Sequence, residues 1–484
     1  MNPFLNKRAT ELQKRSGNCS NLNNAMPAGR PSELRSTRGF AEDPGLGREV
    51  RTIRRPSSLW QVLLMAALPM APMADAQGQT AIGSGQEADS ARSDDLSVDP
   101  LVGQDSNDAL VREQRNDAAD VLDQDLLKTW TDWKAEVAQR TGLSFGGDYT
   151  AVGFAATSSP GDDTAASGIA RFFGTWDLVN CGGANTGGLH FRVEHRHAYT
   201  DVPPAAFGVE VGYAGTPEPV FNDDGFRTTV LYWKQNFLDD RAVFRLGFID
   251  VKEYFDLYSL ASPWSGFHNL NFSTGTGAMT LLPDGAFGAM LGGYLSDHVY
   301  AAVSIVDAGG DPGAVFGGFD TFFGDFDTFK TVEVGYTRGG KEFFIDNAHL
   351  SFWQLDASAA NGTPSGHGMV ASFSKRFADE WLFFLRAGWS DGGAAILARS
   401  ASVGFGHQRE PGGNLLGVGL NWGRPSADTF GTQLNDQWTS EIFYRVQLTE
   451  NIQITPSAQL LFEPALNPDK SFVALFGLRG RVTF

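Results

Sequence analysis

From Leu143 to Phe484 apolar and polar side chains alternate with a period of two, in short segments separated by turn residues. The clearest segment is 380–390, EWLFFLRAGWS, in which Trp381, Phe383, Leu385, Ala387 and Trp389 share one face and Arg386 takes the other. A period of two belongs to the β-strand, whose successive side chains point to opposite faces. The last segment, SFVALFGLRGRVTF, repeats the pattern. Phe472, Ala474, Phe476, Leu478, Gly480, Val482 and Phe484 lie on one side, with Arg479 and Arg481 on the other. Aromatics at both ends of an apolar face match the two interfacial girdles of a membrane barrel.

No run of 18 apolar residues occurs, so a helical membrane span is not expected. A barrel wall has no need of one. Only alternate residues meet lipid, so mean hydropathy stays low while Gly (57) and Phe (37) are abundant. Composition alone does not separate this from a large soluble β-protein. The connections do. Sixteen strands are predicted near 143–154, 168–180, 187–199, 225–236, 241–250, 286–296, 298–307, 327–338, 346–356, 367–377, 380–390, 400–409, 413–422, 437–448, 451–463 and 471–484. Connections after even strands are mostly short, such as Leu238-Asp239-Asp240 and Ala378-Asp379, and those after odd strands are mostly longer. An even-stranded barrel with both ends in the periplasm has this asymmetry. The predicted fold is therefore all-β, a transmembrane antiparallel barrel of sixteen strands with a short N-terminal periplasmic helix.

Ahead of the barrel, Arg51, Arg54 and Arg55 precede the apolar run Leu59–Leu68, and Ala74-Asp75-Ala76 follows. These are the parts of a secretory signal peptide. Residues 1–76 are thus read as an N-terminal extension plus signal, with cleavage near Ala76. Residues 77–117, rich in Asp, Ser, Gln, Gly and Asn, read as a disordered linker. In 118–140, Leu122, Leu126, Trp130, Trp133 and Val137 recur at helical steps. This predicts an amphipathic helix packed on the barrel's periplasmic mouth, with a short coiled coil as the alternative. Residues 141–484 form the barrel.

Beyond residue 76 the chain holds 27 Lys/Arg and 50 Asp/Glu, a net charge of −23, so nucleic acid is not an expected partner. One cysteine, Cys181, lies in that part, which leaves no internal disulfide. No nucleophile motif or phosphate loop is found, and an enzyme is not expected. His190, His195 and His197 do not form a metal site, because His190 faces away from the other two on a strand. No cofactor is expected.

The ionisable residues of the strands make the candidate site. In HFRVEHRH, His190, Arg192, Glu194 and Arg196 share the face opposite Leu189, Phe191 and Val193. Arg245, Arg386, Glu441 and Arg445 should reach the same inner surface from other strands, together with Gln447, Arg479 and Arg481. A lining that mixes guanidinium donors with carboxylate acceptors suits a neutral polyol. The plainer reading is that these charges keep the lumen wet and cross-link the wall.

Several segments resemble the carbohydrate-selective porins of the OprB family. They are Leu127 to Tyr149 (LKTWTDWKAEVAQRTGLSFGGDY), 188–199 (GLHFRVEHRHAY), 233–256 (WKQNFLDDRAVFRLGFIDVKEYFD) and 441–484. The last carries E-x-x-Y, T-P-x-x-Q and the closing G-L-R and Phe. The resemblance covers roughly 126–484. It implies a sixteen-stranded channel for glucose and other small sugars, constricted by lumenal Arg and Glu with loop aromatics. The long connection 251–285 follows the fifth strand and carries Tyr254, Phe255, Tyr258, Trp264, Phe267, His268 and Asn269. Its length and position predict that it enters the lumen, with those residues facing solute; an outer loop packed on its neighbours is the alternative. The pore-lining set is then Arg192, Glu194, Arg196, Arg245, Trp264, Arg386, Glu441 and Arg445. The Phe- and Gly-rich connection 308–326 fits no role in this scheme.

The expected location is the bacterial outer membrane. Expected partners are small sugars in transit, outer-membrane lipid, and the barrel-assembly machinery reading the terminal Phe484. A homo-oligomer stays open. The competing reading is a general or weakly ion-selective porin, which would need a lumen dominated by one sign of charge.

Overall fold

The computed structural model describes residues 101–114, 127–181, 183–280, 284–338, 342–358, 362–410 and 412–484. Sixteen antiparallel strands close on themselves. They are β1 (Leu143–Ala156), β2 (Thr164–Val179), β3 (Gly187–Ala198), β4 (Gly225–Phe237), β5 (Ala242–Ile249), β6 (Ala286–Tyr294), β7 (Val299–Asp307) and β8 (Thr328–Thr337). The second half comprises β9 (Asn347–Leu355), β10 (Gly366–Phe377), β11 (Trp381–Gly392), β12 (Leu397–His407), β13 (Leu415–Pro425), β14 (Gln437–Thr449), β15 (Ile452–Phe462) and β16 (Phe472–Thr483). Two helices precede them, α1 (Asn107–Glu113) and α2 (Lys128–Thr141). Each strand pairs with its sequence neighbours, and β1 pairs with β16.

The alternation read from the sequence sets which face each residue takes. Trp381, Phe383, Leu385 and Trp389 are exposed on the outside, while Arg386 is buried inside. Phe476, Leu478, Val482 and Phe484 face out, and Arg479 and Arg481 face in. The short turns tighten as the right-handed twist of strands requires, with positive φ at Leu238, Asp239 and Asp240 and at Ala378 and Asp379.

The seam between first and last strands is sealed twice. The backbones of Gly147 and Phe484 exchange both hydrogen bonds, each at 2.9 Å. Just inside, Asp148 of β1 accepts from Arg171 Nε of β2 at 2.8 Å and from Arg481 Nε of β16 at 3.0 Å. The three side chains are almost wholly buried.

The N-terminal part departs from the sequence reading. Residues 101–114, read as part of a disordered linker, are ordered: Ser106 caps α1, and Leu110 and Val111 pack with Phe173. Their composition is polar because their partners are the polar inner wall. The helix expected over 118–140 spans Lys128–Thr141, its expected start lying outside the described residues. Trp130 and Trp133 stay exposed beside Phe145 on the outer face of β1, 6.3 and 5.8 Å away. The two indoles therefore extend the lipid-facing aromatic belt, the place where Trp is favoured. The helix ends at Gly142, whose φ of 72° suits the left-handed cap, and a Cβ there would lie 2.6 Å from the Asp177 carbonyl oxygen. The signal-peptide reading of residues 1–76 falls outside the described residues.

Removing Asp148 would leave the buried Arg171 guanidinium without its carboxylate and Arg481 with Glu113 alone. Asp148→Ala should destabilise the barrel by about 3–5 kcal/mol, the usual cost of breaking a buried ion pair from one side. Urea unfolding in vesicles reads this, and an unchanged midpoint would show that water, and not the carboxylate, solvates the seam.

Candidate functional site

Three segments fill the barrel's interior. The connection after β5 enters the lumen and is fastened to the wall along its length. The backbone N–H groups of His268 and Asn269 donate to the two oxygens of Glu441 at 2.8 and 2.9 Å. Arg479 donates to the carbonyls of Pro263 and Gly266 at 2.7 and 2.9 Å. Arg386 donates to the Ser273 carbonyl at 2.5 Å and pairs with Asp256, which also bonds His349 Nε2 at 3.0 Å. The Asp256 N–H donates to Glu333 at 2.6 Å. Burial would raise the Asp256 carboxyl, but Arg386 and His349 outweigh it and hold it below the usual carboxylate range.

Part of the inner wall is apolar, which the sequence reading did not foresee. Tyr258, Leu260, Phe267 and Phe272 of this loop form a core with Leu382 and Phe384 of β11, Leu415 of β13 and Phe443 of β14. Tyr258, Phe267, His268 and Asn269, expected to face solute, are therefore buried against the wall. Trp264 differs: it borders the open lumen and stacks under the Arg171 guanidinium at 3.6 Å.

The connection after β3, residues 199–224, also turns inward, an arrangement the sequence reading missed. Tyr213 is buried and donates to Asn269 Oδ1 at 3.2 Å, and Gln459 donates to the Pro217 carbonyl at 2.9 Å. Glu218 meets His268 Nδ1 at 2.9 Å. Burial raises the Glu218 carboxyl and lowers the His268 imidazole, so the two form a neutral hydrogen bond. The segment's length was the available signal, since its five charged residues, all acidic, follow no two-residue period.

The third segment is 101–114. Arg245 donates to the Leu101 carbonyl at 3.2 Å, and Arg192 donates to the Asp105 carbonyl at 3.1 Å. Asn107 donates to the carbonyls of Phe191 and Gly174, Lys234 pairs with Asp108 at 3.2 Å, and Arg481 binds Glu113 with two bonds of 2.8 Å. The segment occupies the half of the lumen nearest the short turns.

What remains open is a cavity of 1030 Å³ toward the long-loop end. Small-molecule sites reach about this size. Gln104 and Asp105 border it from the N-terminal segment. Its charged lining includes a ladder of mixed sign, and Asp201, Glu210, Asp223 and Asp224 of the connection after β3 add acidic groups. Glu194 bonds Arg192 at 3.2 Å and Arg196 at 2.6 Å. Arg196 reaches Asp284 at 2.5 Å, which also pairs with Lys252 and lies 3.7 Å from Arg227. Arg192 further pairs with Glu253 and lies 3.9 Å from Asp250. Burial would raise the Asp284 carboxyl, but Arg196, Lys252 and Arg227 outweigh it and keep it anionic. Burial pushes the Glu253 carboxyl up to about 8 against the pull of Arg192.

The eight sequence-selected residues thus divide. Arg192, Glu194, Arg196 and Trp264 border the cavity. Arg245, Arg386 and Glu441 instead hold inserted segments, as does Arg445, which donates to the carbonyls of Ser265 at 3.4 Å and Gly413 at 3.0 Å. Lys252, Glu253, Asp250 and Asp284 join the ladder from the loop, where no two-residue period marks them. Among the described residues no group of three or more His, Cys, Asp or Glu is placed to hold a metal ion.

Two outcomes follow from this geometry. A chain lacking residues 77–114 should still close its barrel and conduct more ions per channel in planar bilayers. Equal conductance would mean that the loops alone set the narrowest point. Separately, Glu253 is neutral below about 8 and negative above it, so raising the pH from 6 to 9 adds negative charge to the lining. The permeability of K⁺ relative to Cl⁻ should rise over that range in the parent chain and rise less in Glu253→Gln. A rise of the same size in both would assign the titration elsewhere.

The chain matches the family described as carbohydrate-selective porin, OprB family, over residues 175–484. No curated protein matches it. Among solved structures it is similar to the high-pH structure of Pseudomonas putida OprB, with a TM-score of 0.59 at 14% identity, covering 73% of this chain and 97% of that one. The low-pH structure of the same protein aligns with a TM-score of 0.46 at 11% identity over 76% of this chain and 100% of that one. A mutant of the Rh. blastica porin aligns at 0.41 and 12% identity over 71% and 100%. With a transmembrane barrel of sixteen strands and a family match over most of its length, the chain belongs to the carbohydrate-selective porin (OprB) family.

Proposed function

We propose that small neutral sugars enter the long-loop end, occupy the cavity, and pass the ladder of Arg192, Glu194 and Arg196 by exchanging hydrogen bonds with it. The observation that carries this reading is the paired ladder within the lining. There Arg192, Arg196, Arg227 and Lys252 interleave with Glu194, Asp250, Glu253 and Asp284, while Asp105, Asp201, Glu210, Asp223 and Asp224 add acidic groups around it. Sugar hydroxyls both donate and accept, so such a lining serves them from either side. An ion meets attraction and repulsion in turn. Over the whole cavity the lining holds nine acidic and four basic side chains, so a general, weakly cation-selective porin is the second reading.

Each contact has to stay weak, because a channel that holds its solute tightly does not conduct. Arg192 already has five acceptors around it, Glu194, Glu253, Asp250, the Thr229 hydroxyl and the Asp105 carbonyl. A sugar therefore replaces one partner at a time, without leaving a charge bare. Trp264 borders the cavity but is only 6% exposed between Arg171 and Phe221, so it shapes the wall more than it offers a free ring face.

The same reading locates the chain in the bacterial outer membrane, with the long loops outside and the short turns in the periplasm. Its exposed terminal Phe484, at the end of an alternating strand, suits recognition by the barrel-assembly machinery. The belt of outward aromatics is what outer-membrane lipid would cover.

Uptake of glucose relative to an uncharged amino acid of similar size, measured by liposome swelling, tests the assignment. Glu194→Gln should lower that ratio modestly. Arg192→Ala should lower it more, roughly fivefold for a net loss of about 1 kcal/mol in the sugar's hydrogen bonding. Arg192→Lys should fall between the parent and Arg192→Ala. Equal ratios in all four proteins would make the ladder structural and favour a general porin.

A further inference from the structure

The connection between β7 and β8, residues 308–327, turns outward. Its helix, α3 (Gly317–Gly324), lies on the outer face of β5 and β6 near the long-loop rim. Phe248 and Phe287 form that part of the outer face, since they alternate with the inward Arg245, Ile249, Ala286 and Met290. Helix and wall touch directly: a Cβ on Gly318 would lie 2.6 Å from the Phe248 ring. The Phe319 ring is centred 4.3 Å from that of Phe287, and the Thr321 hydroxyl donates to Asp307 at the end of β7.

The helix covers the wall's aromatics yet leaves its own uncovered. Phe316 and Phe323 are 77% and 68% exposed, and Phe319 and Phe326 are also exposed. Steps of three and four residues put Phe316, Phe319 and Phe323 along one side of the helix, with Asp320 at its border, and Phe326, past the helix end with φ 54°, adds a fourth exposed ring. Further along the same strands, on the same outer face, lie the exposed Leu246 and Leu291. The phenylalanine patch therefore adjoins the lipid-facing wall.

We propose that α3 is an interfacial helix whose phenylalanine side inserts among the acyl chains of the leaflet at the long-loop end. Lipid is the occupant that this continuity selects. The rings extend a surface already facing acyl chains, and an apolar helix side parallel to the bilayer is how interfacial helices bind. The segment thereby gives up any part in the pore and widens the barrel's lipid contact on one flank. This rests on the reading of the chain as a membrane barrel.

Site-directed spin labelling of the full chain tests it. In a background carrying Cys19→Ser and Cys181→Ser, single labels are placed through Phe323→Cys, Leu291→Cys on the wall and Asp239→Cys in a short turn. The proteins are reconstituted into phosphatidylcholine vesicles, and collision with oxygen and with a water-soluble nickel chelate is measured. The label at 323 should match that at 291, open to oxygen and closed to nickel, while 239 is open to nickel. Nickel access at 323 with 291 still closed would overturn this inference alone. Nickel access at both would overturn the membrane reading as well. A label at 323 closed to both reagents, with a short label-to-label distance between copies, would make a second copy the occupant and overturn the lipid assignment.

Discussion

A bilayer offers no partner to an unpaired backbone N–H or carbonyl, so the ring of strand pairings has to close without a gap. Everything else in this molecule follows from that closure. Gly147 and Phe484 exchange their hydrogen bonds across the last seam, and the strands then have no free edge. With backbone demand met inside the wall, side chains have only two choices, lipid or lumen. The period of two sorts them: Arg171, Arg192, Arg196, Arg245, Arg386, Arg479 and Arg481 go inward, while Arg399 and Arg424 stay on the outer face at the long-loop ends of β12 and β13.

Closure creates a second demand. Arg245, Arg386 and Arg479 are almost fully buried, and a buried charge is tolerated only when paired or hydrogen-bonded. The wall supplies too few acceptors, so the inserted segments supply them. Backbone carbonyls of Leu101, Ser273, Pro263 and Gly266 all receive arginine donors. Glu441 works in the reverse sense, accepting loop N–H groups that would otherwise be unsatisfied. The inner wall is thus a set of anchors first, and the solute path is the space the anchored segments leave. The apolar cluster around Phe267, Phe384 and Phe443 adds the packing that an all-polar lumen would lack.

Family membership and fold similarity agree at very different levels of identity. At 14% identity the shared barrel with Pseudomonas putida OprB reflects alternation and strand number more than particular residues. What passes through depends on the site, which is a matter of individual side chains. Here that site is assembled from β3, β4, the connections after β3 and β5 and a segment that precedes the barrel altogether.

The sequence by itself determined the barrel. Sixteen strands were legible because lipid on one side and water on the other impose a pattern that every strand repeats, and because short and long connections alternate. It also determined that Arg192, Glu194 and Arg196 point inward, since one strand fixes their side. The inward course of 251–285 was legible only through its length, position and family resemblance. Only the tertiary structure decided which inward residues border open space. Arg386 and Glu441 look equivalent to Arg192 in a strand, yet they hold the middle of the loop, whereas only the loop's two ends meet the ladder and the cavity stays open beside it. The sequence was equally silent on Asp105 and Leu101, whose segment has a linker's composition, and on α3, whose phenylalanines give no sign of whether they face lumen, water or lipid. Such assignments depend on contacts between residues far apart in the chain. No local pattern encodes them, because the partner that satisfies each group is fixed only when the barrel has closed around it.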